Sequence, residues 1–388
     1  MSEVLRSALR GFGTSIFSTI TEEAIRLGAV NLSQGYPDFD PPEPLVAAAS
    51  QAVHSGAHQY APSIGSADLR EAVAAQRSAQ YGARYGFDYD PDTEVTVTVG
   101  ATEAIWSAMQ ALLEPGDEVV LVEPYYDMYP FAVAAAGAVP KYVPTTFPDF
   151  RLDLDRLAAA FSGRTRLVVV NTPSNPSGRR LAAGELRTLG ELLHRYDAYV
   201  VSDETYEHVL FDGLEHLPVA ADPGCRDRTI TAASVSKSFS ATGWRVGWAL
   251  APPALTDALR RVHQFVTFSA PTPLQRAAAA MLRTAAETGY YEQLRAEYGE
   301  RRRVLLEYLD KTGLEVVPPE GTYFVMTRCD GDEVAYCRDL VTRVGVAAIP
   351  ASAFYADPAT GRGLVRFAFC KRLETLRAAG ERLLAGLA

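Results

Sequence analysis

The chain has 388 residues, a formal net charge of −10 and a pI near 5.2, with 48% apolar and 22% charged residues. That balance is ordinary for soluble globular proteins and indicates neither disorder nor a fibrous repeat. The basic residues are scattered, with Arg301 to Arg303 the densest run, which argues against nucleic acid or an anionic membrane as partner.

The length exceeds one ordinary core and predicts a large domain with a smaller one. The N-terminal MSEVLRSALRGFGTS lacks the long apolar core of a signal peptide, and no run of about eighteen apolar residues is available for a membrane span. A soluble, cytoplasmic protein is expected. Residues 1–40, rich in Gly, Pro and Ser after an initial helix, read as an arm that packs on something else and belongs to the smaller domain.

From about residue 94 short β-rich runs alternate with helical ones. The runs are Val95–Val99, Val119–Val122, Leu167–Val170, Tyr199–Ser202, Thr229–Thr231 and Val246–Leu250. Between them lie helical segments such as Glu103–Leu113, Ala183–Tyr196 and Pro253–Phe265. Strand and helix in alternation predict an α/β fold with a mostly parallel, buried sheet sandwiched by helices. After residue 280 a long helical stretch runs through Leu309, then mixed strands and helices end in a helix near Leu376–Leu387. This predicts a large α/β domain over 41–282 and a smaller α+β domain over 283–388.

Several apolar runs stop at a polar residue: Val95–Val99 at Gly100-Ala-Thr102, Leu167–Val170 at Asn171, Val200–Ser202 at Asp203, and the run from Thr229 at Ser234. In open α/β sheets ligands bind beyond the carboxyl ends of the strands, so these residues are expected to converge on one pocket. Each alone is as well explained by a turn or a helix cap. Gly100-Ala-Thr102 opens a helix, where backbone N–H groups favour a phosphate. Asp203 ends a run buried on both faces, a depth at which a carboxylate demands a cation or a strong donor.

Ser234-Val-Ser-Lys-Ser-Phe-Ser-Ala-Thr-Gly-Trp-Arg245 is the most informative segment. A lysine desolvated near other cationic charge has a lowered pKa and can form an imine with an aldehyde. The hydroxyls and Arg245 suit a phosphate dianion. Cys225, Cys329, Cys337 and Cys370 form no C-x-x-C pair and the six histidines no H-E-x-x-H, so no metal is expected and the thiols read as reduced.

Ser234-x-x-Lys237 with Arg245, Asn171-Thr-Pro-Ser-Asn-Pro-Ser-Gly178 and Asp203-Glu-Thr-Tyr206 together resemble the class I aminotransferases of the fold type I pyridoxal-phosphate superfamily. Asn31-Leu-Ser-Gln-Gly-Tyr-Pro-Asp-Phe39, His58-Gln-Tyr-Ala-Pro62 and Val365-Arg-Phe-Ala-Phe369 are similar to the methionine, glutamine and kynurenine aminotransferases. The resemblance implies that Lys237 holds pyridoxal 5'-phosphate as a Schiff base and then shuttles the substrate proton. It implies that Asp203 pairs with the pyridine nitrogen, that Tyr206 and Asn175 bond the 3' oxygen, and that Tyr125 stacks on the ring. Gly100, Ala101, Thr102, Ser234, Ser236 and Arg245 are implied to cradle the phosphate, joined by Tyr60 from the other subunit of a homodimer. Arg366, with Gly35, Tyr36 and Asn175, is implied to receive the substrate, Arg366 gripping its α-carboxylate. The implied partners are an amino acid and a 2-oxo acid.

Where this subgroup commonly has glycine the chain has Ser236, and Ser174 and Asp127-Met-Tyr129 also depart from its pattern. Tyr36, Tyr125, Phe268, Tyr323 and Phe354 are candidates for an aromatic side-chain pocket. Three other readings compete. Ser234-x-x-Lys237 with Lys311-Thr-Gly313 matches the serine acyl-enzymes related to penicillin-binding proteins, but the Ser-Asp-Asn element is missing and glycine after a helix is a cap. A binding or regulatory module on the same fold would need a DNA-binding extension that the sequence lacks. The same cofactor chemistry also supports β-elimination, oxidative deamination or decarboxylation.

Overall fold

The computed structural model describes residues 4–13 and 16–387, so the first three positions of the arm, positions 14–15 and the last residue lie outside it. A seven-stranded sheet forms the centre. Its strands in chain order are β1 (Val95–Thr98), β2 (Glu118–Glu123), β3 (Val139–Pro144), β4 (Thr165–Asn171), β5 (Tyr199–Asp203), β6 (Thr229–Ser234) and β7 (Gly247–Leu250). They lie side by side as β1-β7-β6-β5-β4-β2-β3. β7 alone runs antiparallel to its neighbours.

β5 and β6 consist almost wholly of buried residues, because helices cover both faces of the sheet. Val119, Leu121, Val169, Val201 and Ile230 pack in one cluster, while Val120, Val168, Val170 and Val200 pack in another. Successive strand residues thus serve opposite faces, and each fully buried Val or Leu contributes roughly 1.5–3 kcal/mol. The sequence reading missed β3. Its two prolines and Lys141 mimic a loop, and they are tolerated because β3 pairs on one side only, at the sheet edge.

The helices used below are α1 (Ala67–Arg77), α2 (Gly100–Leu112), α3 (Ala183–Tyr196), α4 (Pro253–Val266), α5 (Thr272–Thr288), α6 (Tyr290–Lys311) and α7 (Leu373–Leu387). α3 has the bounds read from the sequence. Glu185 in its first turn accepts the amide of Ala182 at 2.6 Å, and His194 and Arg195 sit in its last turn, where the helix dipole favours them. The single long helix expected through Leu309 is two helices, α5 and α6, divided at Gly289.

A second, antiparallel sheet has the order β10-β11-β9-β8, built from β8 (Glu315–Val317), β9 (Phe324–Arg328), β10 (Ile349–Pro350) and β11 (Leu364–Ala368). The N-terminal segment packs here. Val30–Asn31 pairs in parallel with Val346–Ala347, and Ile20, Ala24 and Leu32 are buried in the same cluster as Phe324 and Phe367. Among the described residues no helix is long and apolar enough to cross a membrane. All four cysteines are free and buried.

Candidate active site

Register aligns the polar strand ends. Asn171 pairs with Asp203, and Asp203 with Ala232, so β4, β5 and β6 deliver Asn171, Asp203 and Ser234 to one rim. A cavity of about 450 Å³ opens there, lined by these three, by Ala101 and Thr102 at the amino end of α2, and by Lys237 and Arg245. Gly35, Tyr36, Asn175, Tyr206, Ser236 and Arg366 also line it.

Lys237 sits in a short helix, Val235–Ser238, capped by the Ser234 hydroxyl, which accepts the amide of Ser236. Its Nζ donates to the Gly35 carbonyl at 3.2 Å and lies 5.7 Å from the Tyr206 ring and 5.5 Å from the Tyr323 ring. Burial lowers its pKa to about 8; Arg245 and Arg366 add to the fall, while Cys370 and Asp203 oppose it. The low pKa expected of an imine-forming lysine is therefore present.

Asp203 is buried. Its Oδ2 accepts the Tyr129 hydroxyl at 2.7 Å, and its Oδ1 accepts the hydroxyl and amide of Thr205 at 2.9 and 3.2 Å. Burial raises its pKa, and those donors together with Lys237 hold the rise back. Behind it, Arg77 of α1 donates to Glu204 at 3.2 Å and to Glu207 at 3.0 Å. Glu204, Glu207 and His216 bring ligand atoms within 4.8 Å of one another, but the Arg77 guanidinium already serves both carboxylates. This buried cluster holds the turn that carries Asp203 and Tyr206.

Arg366, on β11, donates to Asn175 Oδ1 at 2.8 Å and to the Ser33 carbonyl at 2.7 Å. It lies 4.1 Å from the Phe324 ring centre and 4.9 Å from that of Phe354, and burial lowers its pKa to about 10. Gly35 is glycine because a Cβ there would fall 2.5 Å from Phe324. At the opposite end Arg245 reaches Thr102 Oγ1 at 3.5 Å and the Thr242 carbonyl at 3.1 Å. Gly100 has φ +79°, and a Cβ on it would sit 2.4 Å from Arg245 Nη2. It backs the arginine and does not itself line the cavity.

Two expected residues lie elsewhere. Tyr125 does not line the cavity: it is buried in the cluster of Val119 and Leu121, stands 5.8 Å from Tyr142, and its amide donates to the Phe354 carbonyl at 2.9 Å. Tyr126 lines the cavity in its place. Tyr60 is 83% exposed and stacks edge-on against Phe268 at 5.2 Å, outside the cavity of a single chain. Of the aromatic pocket candidates, Tyr36 lines the cavity, Tyr323 donates to the Gly35 carbonyl at 2.7 Å, Phe354 lies beneath Arg366, and Phe268 and Tyr125 lie off it. Phe17, Tyr126, Thr205 and Phe324 line the cavity without having been singled out in the sequence, and so does Asp127, named there only as a departure from the subgroup's pattern.

The family model "Aminotransferase class I and II" matches residues 28–383. The chain belongs to this family. It is 44% identical to a probable N-succinyldiaminopimelate aminotransferase of Mycobacterium tuberculosis and 42% identical to a methionine aminotransferase of Escherichia coli, each alignment covering 97% of both chains. The solved structure of N-succinyldiaminopimelate aminotransferase from M. tuberculosis superposes with a TM-score of 0.94 at 44% identity, over 99% of this chain and 100% of that one.

The protein is thus an aminotransferase of the fold type I architecture, and its cofactor is pyridoxal 5'-phosphate. The cavity fits that group. It pairs a buried amine of lowered pKa with a buried carboxylate, and at the Arg245 end it offers helix amides and hydroxyls to a dianion. Ser236 Oγ and Arg366 Nε are buried without a partner among the described residues, leaving hydrogen-bonding capacity at both ends.

Proposed function

We propose that the protein transfers the amino group of an L-α-amino acid with a neutral side chain, of the methionine, glutamine, aromatic or kynurenine type, to a 2-oxo acid in two half-reactions at this one cavity. The observation that carries this reading is the accounting of cations: Lys237, Arg245 and Arg366 are the only lysine and arginine side chains among the described residues that line it. All three are engaged by the amine chemistry, the phosphate and the α-carboxylate. Within one chain none is left for a distal carboxylate, and Asp127 adds negative charge.

When bound, pyridoxal 5'-phosphate supplies an aldehyde that takes up amines and a ring that draws electrons from the substrate α-carbon. Lys237 Nζ would anchor the cofactor and, once freed, would take up and return the proton of the substrate α-carbon. Asp203 keeps a proton on the pyridine nitrogen, and Tyr129 and Thr205 hold its carboxylate in place. Tyr206 and Asn175 hydrogen-bond the 3' oxygen, and Tyr126 takes the ring-facing position. Ala101, Thr102, Ser234, Ser236 and Arg245 receive the phosphate, with Gly100 giving Arg245 its room. Arg366 grips the α-carboxylate beside Gly35 and Tyr36, with Asn175 orienting its guanidinium.

Tyr60 completes the phosphate site of a second copy in a homodimer. The exposure of Tyr60, Phe265, Val266 and Phe268 supports that role. Residues 1–40 and 283–388 form the small domain and 41–282 the large one, a division supported by the two separate sheets and by the pairing of Val30–Asn31 with Val346–Ala347.

The test is a panel of amino donors and 2-oxo acids, with keto product and ammonia followed together. Transfer from neutral donors without ammonia supports the reading. Preference for aspartate would overturn the side-chain class, and ammonia in place of transfer would favour a β-lyase or deaminase.

A further inference from the structure

A histidine outside the cavity joins the phosphate end to the segment that carries Tyr60. His263 on α4 is buried, and each ring nitrogen meets an acceptor: Nδ1 lies 2.5 Å from Glu103 Oε1 and Nε2 2.5 Å from the Ser63 carbonyl. A neutral imidazole has one N–H and one lone pair, and neither a carbonyl nor an ionised carboxylate donates, so only the doubly protonated ring satisfies both contacts. Glu103 also accepts the Val99 amide at 2.5 Å and the Thr267 hydroxyl at 2.7 Å.

Burial and Arg260, on the same helix, work against the charge on His263. The hydrogen bond and charge of Glu103 and the Ser63 carbonyl outweigh them, so the ring stays protonated above the ordinary histidine range. Arg260 itself is turned to Thr96 and the Val95 carbonyl.

Glu103 leads to this copy's phosphate end, and Ser63 to the segment whose Tyr60 is proposed to serve the second copy's. Glu103 lies in the first turn of α2, directly after Ala101 and Thr102, which line the cavity. Ser63 lies three residues beyond Tyr60, in an irregular segment otherwise pinned by Thr272, whose hydroxyl accepts the Ala61 amide and donates to the Gln59 carbonyl. We propose that His263, as an imidazolium clasped between Glu103 and Ser63, is a positioning residue that fixes the amino end of α2 at this copy's phosphate site and, through Ser63, the segment whose Tyr60 serves the phosphate site of the second copy.

The inference rests on the phosphate site proposed above, so the experiment compares two ligands on the apoenzyme: pyridoxal 5'-phosphate and pyridoxal, which lacks the phosphate. Dissociation constants are measured by tryptophan fluorescence for the wild type, His263→Gln, Glu103→Gln and Arg245→Gln. A hydrogen bond to a charged group is worth about 1.5–3 kcal/mol, so His263→Gln is expected to weaken the phosphorylated ligand about tenfold or more while pyridoxal changes by less than about twofold.

Glu103→Gln offers its carbonyl to Val99 and its amide to a neutral His263. It keeps the shape, removes the charge and is expected to shift affinity in the same direction by less, which covers the case in which His263→Gln does not fold. Loss of the two ligands in equal measure, or no loss in either folded variant, overturns the proposal. If Arg245→Gln also spares the phosphorylated ligand, the phosphate site itself is misassigned. If Arg245→Gln weakens it and the clasp variants do not, only the role of His263 falls.

Discussion

The Tyr129 hydroxyl lies 2.7 Å from Asp203 Oδ2, with both side chains buried. It donates to a carboxylate that burial would otherwise push toward its neutral form. Tyr129→Phe removes that donor, so the Asp203 pKa rises further and its hold on the pyridine proton weakens. Activity is expected to fall about tenfold, the order of one hydrogen bond to a charged group, with the cofactor still bound. Steady-state kinetics with absorbance spectra across pH check it; unchanged kcat would show that Thr205 alone suffices.

Lys237→Ala is expected to bind the cofactor noncovalently and to lose at least about 10⁴-fold in kcat, since one group serves as anchor and as base. Borohydride treatment of the wild-type holoenzyme should abolish its visible absorbance and leave a pyridoxyl adduct on Lys237, mapped by mass spectrometry.

The lysine pKa of about 8 sets a pH dependence. Only the neutral amine attacks an aldehyde, so the rate at which the apoenzyme takes up cofactor should rise with pH up to about 8 and level off above it. The same shift acts on stability. Between about 8 and the ordinary lysine value the unfolded chain binds more protons than the folded one, so apoenzyme stability rises with pH across that window. Lys237→Met removes this rise, and thermal melts of the two proteins at several pH values measure it.

Arg366→Lys keeps a charge but loses the planar fork that Asn175 Oδ1 and the Ser33 carbonyl orient. kcat/KM for amino acids is expected to drop about 10–100-fold, with cofactor affinity unchanged.

The homodimer proposed above would have a solution mass of twice 42.0 kDa. Phe265, 86% exposed, is the residue to challenge: Phe265→Asp is expected to yield monomers by light scattering and to raise the dissociation constant for pyridoxal 5'-phosphate.

Much of this was legible beforehand because buried parallel strands write themselves as unbroken apolar runs that end at the ligand. Asn171, Asp203 and Ser234 could be located that way, and Lys237 from the hydroxyl- and cation-rich segment that follows Ser234. The edge strand β3 could not, since its prolines and lysine obey the rules of an edge that only the paired sheet reveals. Which of the adjacent Tyr125 and Tyr126 lines the cavity is set by the turn that follows Glu123, beyond the strand whose alternation a sequence displays. Tyr129 and Arg77 left no local signal. One finds Asp203 across 74 positions, and the other finds Glu204 across 127.

The bond from Arg366 to the Ser33 carbonyl spans 333 positions, whereas the residues around Lys237 and Arg245 arise from one continuous middle stretch. During synthesis that middle stretch leaves the ribosome before the strand bearing Arg366. On the roles proposed above, a chain stopped short of Leu364 keeps the elements that receive the cofactor and lacks the one that grips the substrate. A nascent enzyme could therefore acquire its colour before it acquires any capacity to turn over an amino acid.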